Sequence, residues 1–219
     1  MTTFDDTAAP GGEGTPTVGD TLSWRDRIEH YRTRFPRGAF LATEGEWMFG
    51  YWVLGYFART RAARDADFYG AYPGDFLQRI AALFPDKQRV LHLFAGMTDT
   101  SPKGLPGDTC DIRPELNPTF VADAESLLTV PLESYDMVLA DPPYSEADAK
   151  RYGTKMPVAS RVMTTLERVL PGTHVVWLDE RLPGYRKTAW QWEGVIGLST
   201  SAGHRVRQIS IFQRVPGCS

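Results

Sequence analysis

The chain has 219 residues, enough for one domain with a sizeable core, and its 42% hydrophobic content is ordinary for a globular protein. A formal net charge of −3 argues against general electrostatic binding of nucleic acid, and two cysteines define neither a disulfide framework nor a metal site. No apolar run is long enough to cross a bilayer, and the N-terminus lacks a signal-peptide layout, so we expect a cytoplasmic protein without membrane contact.

Two regions are predicted before the main part of the chain. Residues 1–20 are rich in Gly, Thr, Pro and Asp, and they predict a disordered tail. Residues 21–87 predict an N-terminal extension of helices and aromatic residues.

Within this extension, Ser23 is a suitable N-cap for a helix that Pro36 ends. A hairpin-like aromatic stretch follows over 40–54, and a second helix is expected over about 74–84.

From residue 88 onward, strand-like apolar runs alternate with short helical segments. The predicted strands are Arg89–Phe94, Asp108–Ile112, Thr119–Ala122, Tyr135–Ala140 and Thr173–Leu178. A helix over about 157–169 precedes the last of them. Strands interleaved with helices indicate a mostly parallel sheet covered on both faces.

The end of the chain differs from this pattern. Two strand-like runs, Trp192–Ser199 and Val206–Arg214, flank the turn-forming residues 200–204, which indicates an antiparallel hairpin. We therefore predict an α/β fold over 88–216, with a mostly parallel sheet that ends in an antiparallel hairpin. This arrangement resembles the class I methyltransferase fold, which is Rossmann-like.

The clearest functional signal is the tetrapeptide Asp141, Pro142, Pro143, Tyr144, which follows the apolar run Tyr135–Ala140. The Asp141 carboxylate can accept one N–H of a planar group that bears an exocyclic NH2, and the Pro142 carbonyl can accept the other. Tyr144 can stack on the plane of that group. An Asp-Pro turn after a strand is the alternative without a function.

This tetrapeptide resembles the DPPY motif of S-adenosylmethionine-dependent amino-methyltransferases, which methylate exocyclic nitrogens of adenine or cytosine. The resemblance covers about residues 66–214. It implies that Asp141, Pro142, Pro143 and Tyr144 form the catalytic element, with Asp141 also beside the cofactor. It further implies catalysis by positioning and electrostatics, without a nucleophilic cysteine or a metal.

The first strand of the predicted core ends in VLHLFAG, which resembles the glycine-containing cofactor motif of the same family. The resemblance implies that the backbone at Phe94, Ala95 and Gly96 approaches the methionine part of S-adenosylmethionine. His92 stands where the family usually has Asp, and a Met-Thr pair replaces the usual continuation toward a second Gly. His92 is therefore either a cofactor ligand or a core histidine.

Acidic residues end the next two predicted strands. Asp111 matches the acid that the family and dinucleotide-binding folds use for ribose hydroxyls, and Ile112 would pack on the adenine ring. Asp123, followed by Ala124, matches the family acid that accepts from the adenine amino group of the cofactor. The alternatives are a turn acid at Asp111 and a helix N-cap at Asp123.

Aromatic residues before the first core strand complete the expected cofactor site. Residues 68–74 include Tyr69 and Tyr72, and they resemble the family segment that closes over the cofactor from the N-terminal side. Core packing of the two tyrosines under the following helix is the alternative. On the other side of the tetrapeptide, residues 145–153 predict a mobile flap, with Lys150, Arg151 and Lys155 as candidate phosphate contacts. A solvated helix face is the alternative.

The resemblance implies transfer of a methyl group from S-adenosylmethionine to N6 of adenine in DNA, with cytosine as the second choice. We expect a nucleic-acid partner, DNA ahead of RNA, whose target base must be unpaired or flipped out of the duplex. One alternative is an RNA base amino-methyltransferase. The altered loop after Gly96 motivates another, a catalytically inactive module that binds the cofactor or a nucleotide and acts through partners.

Overall fold

The computed structural model describes residues 22–37, 39–54, 72–98, 100, 105–200 and 205–217. The tail predicted over 1–20, the candidate residue Tyr69 and most of the turn predicted over 200–204 lie outside these residues. Across the described ranges, no helix is both long and apolar enough to span a bilayer.

The described residues form four α-helices and nine β-strands. The helices are α1 (Trp24–Arg34), α2 (Phe76–Leu83), α3 (Glu146–Arg151) and α4 (Ala159–Thr165). The strands are β1 (Ala39–Glu44), β2 (Trp47–Val53), β3 (Val90–Leu93), β4 (Asp108–Asp111), β5 (Phe120–Val121), β6 (Met137–Ala140), β7 (His174–Asp179), β8 (Trp190–Ser199) and β9 (Arg207–Arg214). Every strand predicted from the sequence is present, with ends that differ by one or two residues.

Helix α1 begins and ends where the sequence predicts. The Ser23 side chain accepts a hydrogen bond from the backbone N–H of Asp26 at 3.2 Å, which satisfies one free donor of the first turn. The helix ends at Arg34, before Pro36, whose ring cannot continue it. The buried face of α1, which starts at Trp24, packs into the same core as α2.

The nine strands form one mixed sheet in the order β1-β2-β8-β9-β7-β6-β3-β4-β5. Its centre is parallel, through the pairs β4–β5, β3–β4, β3–β6 and β6–β7. Strand β9 runs antiparallel to both β7 and β8, which confirms the predicted C-terminal hairpin.

The predicted N-terminal hairpin is also confirmed, and it belongs to the same sheet. Strands β1 and β2 pair antiparallel, and β2 then pairs with β8 in parallel. The segment predicted as an N-terminal extension supplies β1 and β2 to this sheet, and its helices α1 and α2 pack on the sheet.

Both faces of the sheet are covered by buried side chains. One core, under α1 and α2, contains Trp52 and Phe76. The other, under α4 and the connection between β5 and β6, contains Trp177, Trp190 and Phe212. Strands β3, β6 and β7 are buried along their whole length, as expected of central parallel strands.

Gly50, in the middle of β2, tests the pairing of the N-terminal hairpin. A methyl group there would meet the Phe40 carbonyl oxygen and the Leu41 side chain well inside van der Waals distance. We expect Gly50→Ala to lower the free energy of unfolding by about 1–3 kcal/mol, because β1 would have to move away from β2. Urea unfolding would measure this, with Gly217→Ala as the control, since no atom lies within 4 Å of that methyl position. Unchanged stability of Gly50→Ala would contradict this pairing.

Candidate functional site

The carboxyl ends of the central parallel strands meet at one edge of the sheet. Strand β3 lies between β4 and β6, so the order of the strands reverses there, and ligands of open α/β sheets bind at such a switch point. Leu93, the last residue of β3, pairs in register with Ala140 and with Cys110. The two motifs predicted from the sequence, at 94–96 and 141–144, therefore start side by side.

Four aspartates lie along this edge, each at or shortly after the end of a neighbouring strand. They are Asp111 on β4, Asp123 after β5, Asp141 after β6 and Asp179 on β7. The sequence predicted the first three as site residues, and the structure brings them to the same edge. We name this region, with the loops that follow β3 to β7, the carboxyl edge.

The carboxylate of Asp141 is held by two side chains that are hydrogen-bonded in series. The Tyr144 hydroxyl donates a hydrogen bond to Oδ1 of Asp141. Nη1 of Arg207, at the start of β9, donates to the same hydroxyl at 3.1 Å, and its guanidinium lies 5.7 Å from the centre of the Tyr144 ring. Arg207 thus contacts both the hydroxyl and the ring of Tyr144.

Burial controls the ionisation of this group of side chains. It raises the pKa of Asp141 from 3.8 to about 6, against the lowering effects of the Tyr144 hydrogen bond and the Arg207 charge. Asp179 raises that pKa a little further. Burial and the Asp141 charge raise the pKa of Tyr144 well above its ordinary value, so Tyr144 is a neutral hydrogen-bond donor.

The rest of the tetrapeptide joins β6 to α3. Pro142 and Pro143 are buried, and Ser145 caps α3 by accepting from the Asp148 N–H at 3.1 Å. The segment expected to be a flap is therefore helical in its first part. Arg205, before β9, fastens this helix to the end of β7 through Asp148 at 3.8 Å and Glu180 at 2.9 Å.

Tyr72 lies in the core, as its alternative interpretation predicted. The ring stacks on Phe76 with centres 4.9 Å apart. The hydroxyl is buried and finds no hydrogen-bond partner among the described residues. Burial, and after it the Asp141 charge, raises the pKa of Tyr72 well above the ordinary value.

The backbone after β3 is strained where the sequence predicted a cofactor contact. Phe94 has a φ of 59°, in the left-handed region that a bulky side chain rarely adopts, and Gly96 has a φ of 54°. The Gly96 N–H donates to Oδ2 of Asp111 at 2.9 Å. The first cofactor motif is thereby tied directly to the acid at the end of β4.

The residues that directly follow Asp111 line a cleft of about 420 Å³. Oδ1 of this acid accepts from the backbone N–H of Arg113 at 3.0 Å. The Arg113 guanidinium reaches across to the carbonyl of Tyr152 at 3.3 Å. Ile112, Arg113, Tyr152 and Lys155 line the cleft, and Ile112 is 41% exposed there, so its side chain is available to a flat ligand.

Asp123 sits at the far end of the carboxyl edge. Its Oδ1 accepts from the Glu125 N–H at 2.9 Å, and its Oδ2 forms an ion pair with Lys155 at 3.3 Å. The helix that the sequence allowed after Asp123 is absent, because residues 124–126 form a turn. Lys155, predicted as a phosphate contact, instead neutralises this acid in the structure.

His92 is placed in the core. It has no exposed surface, and its Nε2 lies 2.8 Å from the Leu105 carbonyl oxygen. Burial lowers the pKa of His92, so the ring is neutral and Nε2 carries the donated hydrogen. His92 is thus a neutral side chain of the core, as its second interpretation predicted.

Two residues of the carboxyl edge were not found by sequence reasoning. Asp179 ends a predicted strand, as Asp111 does, so its position at a strand end was an available signal. It accepts from Trp177 Nε1 at 3.3 Å and from the Glu180 N–H at 2.6 Å, and burial raises its pKa. Arg207 had no such signal, because only the pairing of β9 with β7 and β8 brings it to Tyr144.

Comparison with known proteins gives little further information. No protein-family model matches the sequence, and no curated protein matches it. Among solved structures, the N-methyltransferase NodS from Bradyrhizobium japonicum WM9 is similar with a TM-score of 0.43 and 13% sequence identity, over 64% of this chain and 93% of that chain. A similarity of this size assigns no activity to the chain.

The raised pKa of Asp141 predicts a pH-dependent stability difference. Because the unfolded carboxyl ionises near 3.8 and the folded one near 6, the stability present at low pH is lost as the pH rises through this window. Asp141→Asn has no ionisable carboxyl at this position, so its stability does not fall in this pH window. We expect its melting temperature, relative to wild type, to increase between pH 4 and pH 7 and then to level off. Calorimetry would measure this, with Glu133→Gln, at an exposed position, as the control. A difference independent of pH would contradict the burial of the Asp141 charge.

Proposed function

We propose that the protein is an S-adenosylmethionine-dependent methyltransferase that acts on an exocyclic amino nitrogen of a nucleobase, first of all N6 of adenine in DNA. The observation that carries the proposal is the position of Asp141-Pro-Pro-Tyr144 beside the 94–96 loop at the switch point of the sheet. The parallel strands β3 to β7, followed by the antiparallel hairpin β8–β9, support the resemblance to the class I methyltransferase fold.

The residues of the carboxyl edge fit the cofactor. Asp111 and Asp123 are acceptors for ribose hydroxyls and for the adenine amino group, and Ile112 offers an apolar surface to the adenine ring. The strained turn at Phe94 and Gly96 lets the backbone approach the methionine part. Both acids already have a partner, since Gly96 donates to Asp111 and Lys155 pairs with Asp123. The bound cofactor would have to share each carboxylate with that partner.

Asp141 and Pro142 are suited to hold an amino group. The amino lone pair of adenine is delocalised into the ring, so it is a poor nucleophile until both N–H bonds are directed away from the ring plane. Within the described part of the chain, Oδ2 of Asp141 receives no hydrogen bond, and it can accept one N–H while the Pro142 carbonyl accepts the other. S-adenosylmethionine supplies the methyl group when bound. The chain supplies position and electrostatics.

A base enters this site only when it is unpaired. Flipping it out of a duplex costs a few kcal/mol, and stacking on Tyr144 returns roughly 1–3 kcal/mol. The net charge of −3 supports a modest affinity for the rest of a DNA duplex. Selection of the target therefore depends mainly on the contacts of the flipped base.

Binding of the cofactor is tested at Asp111. We expect Asp111→Ala to weaken S-adenosylmethionine binding by roughly 10- to 100-fold, because hydrogen bonds to a charged acceptor contribute about 1.5–3 kcal/mol. Asp111→Asn, which keeps an acceptor for the Gly96 N–H, should lose less. Calorimetric titration measures the affinities, and melting curves check that the variants are folded. Unchanged affinity of Asp111→Ala would exclude this residue as the ribose ligand.

Methyl transfer is tested at Asp141. The wild-type protein is incubated with labelled cofactor and, in turn, duplex DNA, single-stranded DNA, RNA and protein, and the products are identified by nucleoside analysis. We expect N6-methyladenine in DNA. We expect Asp141→Ala to lower single-turnover transfer by about 10²- to 10³-fold with cofactor binding retained, since the carboxylate acts as the nitrogen becomes tetrahedral. The wild-type rate should rise with pH through about 6, as Asp141 ionises.

Other outcomes of this assay contradict the proposal in distinct ways. Label in RNA would indicate an RNA base methyltransferase. Cofactor binding without label in any substrate would indicate an inactive binding module. Near-normal transfer by Asp141→Ala would show that the carboxylate does not hold the amino group.

A further inference from the structure

We propose that Arg207 is a positioning residue for Asp141: through Tyr144 it fixes one oxygen of the carboxylate, and its positive charge favours the ionised carboxyl group. The catalytic consequence rests on the function proposed above. The positioning itself rests on the contacts among Asp141, Tyr144 and Arg207, which connect the end of β6 to the start of β9.

The placement of Arg207 is determined by the topology of the sheet. Arg207 begins β9 and pairs in register with Leu198 near the end of β8. Because β9 is antiparallel to β7, its first residue lies at the carboxyl edge, and Gln208 is opposite Asp179. The last strand of the chain thus places a guanidinium near the ends of strands that carry aspartates.

The direction of the hydrogen-bond chain is fixed by chemistry. A guanidinium has donors and no acceptor, so Arg207 must donate to the Tyr144 oxygen at 3.1 Å. The hydroxyl hydrogen is then free to point to Asp141, and Tyr144 donates it to Oδ1. The guanidinium also makes a cation–π contact with the ring, 5.7 Å from the ring centre. One side chain therefore contacts both the hydroxyl and the ring of Tyr144.

This arrangement assigns separate tasks to the two carboxylate oxygens of Asp141. Oδ1 accepts from the Tyr144 hydroxyl, and Oδ2, which accepts from no other group among the described residues, is the acceptor for a substrate N–H. If Tyr144 rotated away, the carboxylate would lose its orientation. The hydroxyl of Tyr144 therefore matters as well as the ring, although the sequence pointed to the ring alone.

The charges around Asp141 show what Arg207 opposes. Burial and the nearby Asp179 both favour the neutral carboxylic acid. Tyr72 and Tyr152, which also face Asp141, are phenols whose pKa is raised, so they add no charge. Among the described groups that shift the pKa of Asp141, Arg207 is the cation. Without Arg207, the partly buried Asp141 carboxyl keeps the unfavourable charge of Asp179 and loses a favourable one, so its pKa rises.

The experiment is a carbon-13 NMR titration of the Asp141 carboxyl in wild type, Arg207→Lys and Arg207→Gln. We expect the midpoint to rise by about one pH unit in Arg207→Gln and by less in Arg207→Lys, which keeps the charge but loses the planar stack. Arg186→Gln is the control, since Arg186 is exposed and pairs with Glu167 away from this edge. A midpoint unchanged in Arg207→Gln would overturn the proposal.

A double variant separates positioning through Tyr144 from a direct effect of charge. Tyr144→Phe removes the hydroxyl that connects the two groups, so we expect it to raise the midpoint by itself. Arg207→Gln added to Tyr144→Phe should then change the midpoint by less than it does in wild type, because the two side chains act as one unit. Additive shifts would show that Arg207 acts on Asp141 by its charge alone and not through Tyr144, which would contradict the proposed positioning.

The pH profile of methyl transfer gives the functional readout. In Arg207→Gln, the rise of the single-turnover rate should move to higher pH with the NMR midpoint, and part of the lost rate should return at pH 8. A lower rate at every pH with no movement of the profile would mean a structural role only. If wild type transfers no methyl group to any substrate, the proposed function fails, and the titration still decides the role of Arg207.

Discussion

Parallel pairing brings the ends of several strands to one edge of the sheet. In this chain, four of these strands have an aspartate at or just after their end. Carboxylates gathered at a partly buried edge are unfavourable unless each has donors or a cation nearby. The loops and the last strand supply them: Gly96 and Arg113 to Asp111, Lys155 to Asp123, and Tyr144 with Arg207 to Asp141. Much of the structure around the carboxyl edge consists of these compensating contacts.

The compensation is incomplete at the middle of the edge. Burial raises the pKa of both Asp141 and Asp179, and the neighbouring Tyr72 hydroxyl is buried without a partner among the described residues. The backbone at Phe94 is strained in the same region. Unfavourable features gathered at the switch point, in a sheet whose two faces are well packed, are expected of a place that binds a ligand.

Much of the fold could be predicted from the sequence, because alternating strands and helices and the caps and breakers at their ends are local signals. The N-cap at Ser23 and the hairpin β8–β9 are examples. The pairing of β2 with β8 could not be predicted, since it joins segments far apart in the chain. The same reason explains the site: Asp141 and Asp111 follow strands and carry a local signal, whereas Arg207 reaches Tyr144 across 63 residues. The sequence allowed His92 to be either a cofactor ligand or a core residue, and its complete burial assigns it to the core.

The central claim is that the carboxyl edge binds the cofactor. An amide NMR titration of the protein with S-adenosylmethionine tests this without requiring a methylated product, and a chain of 24.5 kDa is suitable for it. We expect the largest shifts at the amides of Gly96, Ile112 and Glu125, which follow β3, β4 and β5. Shifts at the opposite edge, near Gly172 and His174, or no shifts at millimolar cofactor, would contradict the claim.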